Sequence, residues 1–308
     1  MNRAELIARL STVVGIPVVP YTASGEIDHP LAHRLTRRLV TEGVTALTPN
    51  GNTGEFYALS PHERRSVLAT VVDAAGGDAV VIAGVGLDLH SAVADARFAR
   101  DAGVDAVMVH QPVLPYLSAR GWIDYNVAIA RAVPEIGIVP YLSTTAVSGA
   151  DIAALMHAAP NVVALKYSVP DPVAFATTRF DVSENSDSEI LWIAGLAESY
   201  APAYWQAGAR AFTSGLVNVA PAVSLELLEA LRRGDAAGTE SVWRRIRSFE
   251  HLRARDRSAD NVSVVKEAMH QLGLCARDVR PPSAVLSDAA RVEVHNALEG
   301  WSDAKVAA

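Results

Sequence analysis

The chain has 308 residues, half of them hydrophobic and 20% charged, an ordinary globular composition long enough to bury a large core without staples. Cys275 is alone, which excludes an internal disulfide framework and a cysteine-built zinc cluster. With 27 basic and 34 acidic residues the formal net charge is −7, no footprint for nucleic acid, and no apolar run reaches the ~18 residues of a membrane span.

The first residues, Met1-Asn2-Arg3-Ala4-Glu5, lack the charged-then-apolar pattern of a signal peptide, so a cytoplasmic protein is expected. Short β-branched apolar runs then recur, centred near Ile16, Leu47, Val81, Met108, Val139, Ala164, Trp192 and Ala211. They lie roughly 30 residues apart, the length of a βαβ unit. The near-continuous run over 13–19 predicts a strand buried on both faces, as in a parallel sheet. Gly43, Gly103 and Gly208 each stand where a helix should stop before the next strand. Ser60-Pro61-His62-Glu63 reads as a capping box with proline at the first helical position. Ala92, Ala96, Ala99 and Gly103 give one helix a narrow face for close packing on a sheet.

Eight such beats predict an α/β fold of the (β/α)₈ barrel type rather than an open doubly wound sheet. No Gly-x-Gly-x-x-Gly follows an early strand, which argues against dinucleotide binding. Beyond Ala220 the pattern is helical only, over Pro221–Arg233, 238–253, 262–272 and 286–298. The expected organisation is a barrel over 1–233 and a helical C-terminal extension over 234–308, packed on it as one structural unit.

In a barrel, reacting groups belong at the C-terminal ends of strands and on the loops after them. After the second strand comes Thr48-Pro49-Asn50-Gly51-Asn52-Thr53-Gly54-Glu55, where glycines allow a tight turn and amides with a hydroxyl could hold a small carboxylate. It reads equally as a plain Gly/Asn-rich turn. The fifth strand ends in Tyr141, a position that on its own suits packing as well as chemistry. The sixth carries Lys166 inside the apolar run Val162-Val163-Ala164-Leu165-Lys166-Tyr167. A lysine buried there must lose its proton or find a partner, and a neutral amine can form a Schiff base with a ketone. Reach to solvent or to an acidic neighbour is the other reading of that position.

With Gly51-Asn52-Thr53-Gly54-Glu55, Tyr141 and Lys166 in this order and spacing, the chain resembles the dihydrodipicolinate synthase / N-acetylneuraminate lyase family. The likeness runs from Gly15 with Pro20-Tyr21-Thr22 to Val265-Lys266-Glu267-Ala268 and Arg280-Pro281-Pro282. The resemblance implies a class I, Schiff-base barrel enzyme with a helical extension, needing no cofactor or metal and forming a homodimer or homotetramer. It makes Lys166 the Schiff-base lysine and Tyr141 the proton shuttle. Gly51, Asn52 and Thr53 become the pocket for a 2-oxo acid carboxylate, with Gly195, Thr213 and Ser214 as further substrate-binding residues.

Departures bear on the substrate. Leu142 and Ala146 stand where dihydrodipicolinate synthases carry asparagine and a substrate-binding arginine. Val113-Leu114 replaces their tyrosine pair, and Asn52 replaces the first threonine of their signature, so the usual hydroxyl relay is absent. The segments Pro112-Val113-Leu114-Pro115-Tyr116-Leu117 and Asn52-Thr53-Gly54-Glu55-Phe56-Tyr57-Ala58-Leu59 look closer to the 5-dehydro-4-deoxyglucarate dehydratase branch, from which Leu142 still departs. The expectation is a hydro-lyase or aldolase on a 2-oxo sugar acid such as 5-dehydro-4-deoxyglucarate. The alternatives are a synthase condensing pyruvate with aspartate semialdehyde, and a non-catalytic barrel that binds a 2-oxo acid. Glu198 reads as a site-mouth residue or a solvated helix start, His110 as a packed or rim histidine, and His62 as exposed. Lys266 and Arg244-Arg245-Ile246-Arg247 read as solvated helical faces, and Cys275 as a small buried hydrophobe.

Overall fold

The computed structural model describes residues 1–113, 116–299 and 301. Leu114 and Pro115, on which part of the relay argument falls, lie outside the described residues. Eight strands, β1 (Val13–Gly15), β2 (Ala46–Leu47), β3 (Val80–Val85), β4 (Ala106–Val109), β5 (Gly137–Leu142), β6 (Ala164–Tyr167), β7 (Leu191–Ala194) and β8 (Ala211–Ser214), close into a barrel in sequential order. The ladders from β3 to β8 are parallel. The chain is a (β/α)₈ barrel with a helical C-terminal extension.

A first helix, α1 (Arg3–Leu10), precedes the barrel and has no counterpart in the hydrophobic beat. Asn2 caps it by accepting from the Glu5 N–H. The crossover helices are α2 (His29–Thr41), α3 (Pro61–Ala75), α4 (Leu89–Asp101), α5 (Ala119–Ala132), α6 (Gly149–Ala158), α7 (Pro172–Asn185), α8 (Ala197–Gln206) and α9 (Pro221–Arg233). The extension adds α10 (Ala236–Ser258), α11 (Asn261–Gln271) and α12 (Asp288–Glu299). Ser60 and Glu63 form the reciprocal capping box of α3. Gly43, Gly103 and Gly208 all have positive φ, which lets each of these helices end and the chain turn into the next strand.

The predicted first strand is longer than the observed one. Pro17 and Pro20 have no N–H to give to a ladder. On either side of Pro17 the Asn218 side chain takes over, donating to the Ile16 carbonyl (2.8 Å) and accepting from the Val18 N–H (3.1 Å). The predicted helix over 238–253 is longer in the structure, but Arg255, Asp256 and Arg257 leave helical geometry and set its effective end.

Contacts group the chain into two compact units, one formed by Met1–Val14 with Val80–Thr213 and the other by Gly15–Ala79 with Ser214–Ala308. In the first, Leu6 of α1 packs at the start of β5. A Cβ on Gly137 would lie 2.7 Å from Leu6 Cδ2 and 2.9 Å from Val163 Cγ2, so glycine is required for that approach. In the second, α11 is buried along most of its length, from Val262 to Met269. Among the described residues no helix is long and apolar enough to cross a membrane.

Candidate active site

In the first unit, β5 and β6 run side by side with Tyr141 directly opposite Lys166. Side chains alternate along a strand, so Lys166 and Ser168 share a face while Tyr167 takes the other. Tyr167 joins Phe175 and Tyr204 in an aromatic cluster, with ring centres 5.2 and 6.1 Å away. Lys166 is 2% exposed, and its Nζ lies 4.4 Å from the centre of the Tyr141 ring. Burial brings the Lys166 pKa down to about 8, because a desolvated ammonium is disfavoured against the neutral amine. The phenol ring is close enough to favour the cation partially but supplies no counter-charge.

His110, just past β4, sets its ring edge against Tyr141 with centres 6.1 Å apart, and it is buried. Gly195 follows β7 and donates its N–H to the Tyr167 carbonyl (2.7 Å). A Cβ at Gly195 would lie 1.9 Å from Ser168 Oγ and 2.9 Å from Lys166 Cγ. The glycine therefore makes room for the lysine stem and the serine together. Ser168 is buried, and among the described residues its Oγ has no hydrogen-bond partner. Sequence reading passed over Ser168, although a hydroxyl two residues after Lys166 on one strand falls on the lysine's face. Thr213 is buried near the end of β8, one residue past the Ala194–Phe212 pair of the β7–β8 ladder. Glu198, in the first turn of α8, is fully buried; the solvated reading of it does not hold, because that turn is packed inside the unit.

In the second unit, Gly51, Asn52 and Thr53 form a tight turn leading into a 3₁₀ segment, Asn52–Gly54. A Cβ on Gly51 would meet Ile16 Cγ2 at 2.7 Å, and one on Gly54 would meet the Pro17 carbonyl at 2.9 Å. Both glycines thus press the turn onto the segment after β1. Thr53 is buried and Asn52 is exposed. The Ser214 hydroxyl accepts from the Val217 N–H (3.1 Å) and bonds Ser224 Oγ (3.2 Å).

Glu55, the last signature residue, turns to the extension. Its Oε2 accepts from Lys266 Nζ (2.6 Å) and its Oε1 from the Arg280 N–H (2.8 Å). Lys266 is 0% exposed, which corrects the expectation of a solvated helical face: a buried carboxylate and the Tyr21 ring enclose it. The same corner holds Arg253, which the sequence did not single out. A Cβ on Gly215 would lie 2.6 Å from Arg253 Nη2 and 3.1 Å from Thr53 Oγ1. Arg244 is exposed, Arg245 partly covered and Ile246 buried, so that run is only in part a solvated face. Cys275 is buried, with its pKa pushed up to about 11 by burial. Among the described residues no cluster of three or more His, Cys, Asp or Glu side chains could hold a metal.

A closed eight-stranded barrel with a buried, pKa-depressed lysine beside a tyrosine at its strand ends defines a class of barrel enzyme. The chain belongs to the dihydrodipicolinate synthetase family, whose model matches residues 9–300. A relative from Methylobacterium radiotolerans, named a probable 5-dehydro-4-deoxyglucarate dehydratase, is 30% identical over 301 residues, covering 96% of each chain. One of the same name from Rhizobium rhizogenes is 29% identical over 287 residues, covering 92% of this chain and 93% of its own. Among solved structures, dihydrodipicolinate synthase from Oceanobacillus iheyensis superposes with a TM-score of 0.92 at 36% identity, over 98% of this chain and 100% of that one. Family and relatives together make the protein a lyase.

Proposed function

We propose that this lyase forms an imine between Lys166 and a 2-oxo acid, and that its substrate is a 2-oxo sugar acid such as 5-dehydro-4-deoxyglucarate. The observation that carries the reading is the register pairing of Tyr141 with a Lys166 that is 2% exposed and has its pKa lowered to about 8. The neutral amine adds to the ketone carbon and water leaves, giving an iminium. The iminium draws electrons from the adjacent carbon, which gives up a proton to form an enamine. That enamine then expels a β-hydroxyl, which takes a proton from Tyr141 and leaves as water. In the aldol mode the iminium instead takes up the electrons of the C–C bond at that carbon directly, giving the enamine and releasing an aldehyde as the β-hydroxyl gives up its proton. Tyr141 takes and returns protons without placing a carboxylate charge near the iminium. The imine is itself the electron sink, so the scheme calls on no cofactor or metal. Gly51, Asn52 and Thr53 hold the carboxylate, with Gly195, Thr213 and Ser214 as further substrate-binding residues; these assignments rest on the family resemblance.

The buried, unpartnered Ser168 hydroxyl beside the lysine stem favours a hydroxylated substrate chain over pyruvate alone. Leu142 and Ala146 offer neither amide nor guanidinium for aspartate semialdehyde. The dehydratase-named relatives support the same choice. A second reading, condensation of pyruvate with aspartate semialdehyde, is favoured by the 36% identity to the Oceanobacillus synthase. A homodimeric or homotetrameric cytoplasmic protein goes with either.

Borohydride reduction in the presence of pyruvate or another 2-oxo acid should leave a stable adduct on Lys166, read by peptide mass. No adduct at that residue would end the imine reading. Turnover of a panel of 2-oxo sugar acids, set against pyruvate plus aspartate semialdehyde, decides the substrate; faster use of the semialdehyde pair reverses the ranking.

A further inference from the structure

Two buried ion pairs made by side chains of the extension take no part in that chemistry; one ends on Glu55, next to the 51–53 turn, and the other lies against Gly215, whose missing side chain separates it from Thr53. In the first, Lys266 Nζ donates to Glu55 Oε2 (2.6 Å) and to the Asp278 carbonyl (2.7 Å), and lies 4.1 Å from the centre of the Tyr21 ring. The Arg280 guanidinium also stacks on Tyr21, at 4.6 Å, while its backbone N–H holds the other Glu55 oxygen. Glu55 directly follows the Asn52–Gly54 segment and is left-handed, at φ 55 and ψ 34. A non-glycine residue persists in that region only where its surroundings over-determine it. Here the surroundings are the ammonium of α11 and an amide of the chain beyond it.

In the second pair, Arg253 Nη1 donates to Glu250 Oε1 (2.5 Å) and Nε to Asn261 Oδ1 (3.0 Å). Both charged side chains are buried. The remaining nitrogen abuts Gly215 on the side where Thr53 Oγ1 also lies. Buried pairs of this kind are a poor source of stability, because desolvation offsets most of their attraction. What directional, charge-assisted bonds supply better than an apolar plug is one fixed geometry.

We propose that Lys266 and Arg253 are positioning residues for the substrate carboxylate: through Glu55 and the Gly215 corner they hold the amides and hydroxyl of the 51–53 turn in binding geometry. The proposal rests on the imine reading, since the carboxylate that the turn would bind belongs to the ketone carried by Lys166.

The test uses the full chain and two ketones, pyruvate and hydroxyacetone, which has no carboxylate. Borohydride trapping is followed against ketone concentration for wild type, Lys266→Met, Arg253→Met and the double variant Glu55→Gln/Lys266→Met. For pyruvate the half-saturating concentration should rise about 10-fold or more in each variant, with trapping at saturation and the hydroxyacetone response within about twofold of wild type. Unchanged pyruvate half-saturation overturns the proposal. So does an equal loss with both ketones, which marks a merely structural role. If Lys266→Met does not fold, the double variant leaves no carboxylate buried against a missing partner and carries the same comparison. Wild-type protein that traps neither ketone overturns the imine reading itself, a result distinct from any variant's, and this proposal falls with it.

Discussion

Burial acts on Lys166 twice, on its reactivity and on the stability of the fold. With a pKa of about 8, a useful share of the amine is neutral near neutral pH, and kcat/KM should rise with pH until it levels off above about 8. A profile flat between about pH 6 and 9 would remove the lysine's titration from the rate law. The ordinary value is 10.5, so between the two pKa values the unfolded chain binds more protons than the folded one. Stability therefore increases with pH across that window, and below about 8 both states carry the proton and the burial cost is felt in full. That cost is roughly 3 kcal/mol for a shift of this size. Lys166→Met should accordingly abolish turnover while raising urea resistance at pH 7 by about 1–3 kcal/mol. Tyr141→Phe should lower turnover by about 10²–10⁴-fold yet still allow slow adduct formation, and unchanged turnover would take Tyr141 out of the mechanism.

Between elements, β6 and β7 can approach only because Gly195 has no side chain. Gly195→Ala forces a methyl against Ser168 Oγ and the Lys166 stem. It should cost about 1–3 kcal/mol by denaturant titration and most of the activity, whereas Ser60→Ala at the α3 cap should cost about 1 kcal/mol with activity kept. Much at this scale was legible in the chain. The strand beat, the glycine stops and the α3 cap all follow from local chemistry, and α9 occupies the span its periodicity predicts, Pro221–Arg233. Lys166 stood out because a cation inside an apolar strand needs an explanation wherever the strand lies. Lys266 gave no such signal: a lysine on an amphipathic helix looks solvated until the partner that covers it is known, and Glu55 is 211 residues away. Glu198 was ambiguous for the same reason. The short β1 depended on Asn218, another distant side chain, and α1 lacked the strand-then-glycine context that marked the other helices.

Across the whole molecule, charge is placed inside as well as on the surface. Lys266→Met alone strands the Glu55 carboxylate and should cost about 3–5 kcal/mol, while Glu55→Gln/Lys266→Met should cost much less; equal losses in urea titrations would refute uncompensated charge as the cause. Both compact units are discontinuous in sequence, each built from two separate stretches of the chain. This interleaving has a consequence during biosynthesis. At about 5–20 residues per second, a ribosome needs roughly 10–40 s after adding Glu55 to reach Lys266. For that interval the signature turn is tethered to nothing that will later hold it, and the Glu55 carboxylate stays in water. A nascent chain interrupted within it exposes the apolar surface that α11 would have covered, which is what chaperones and proteases read. The signature turn thus gains its Lys266 anchor only when the first quarter of the chain meets the last.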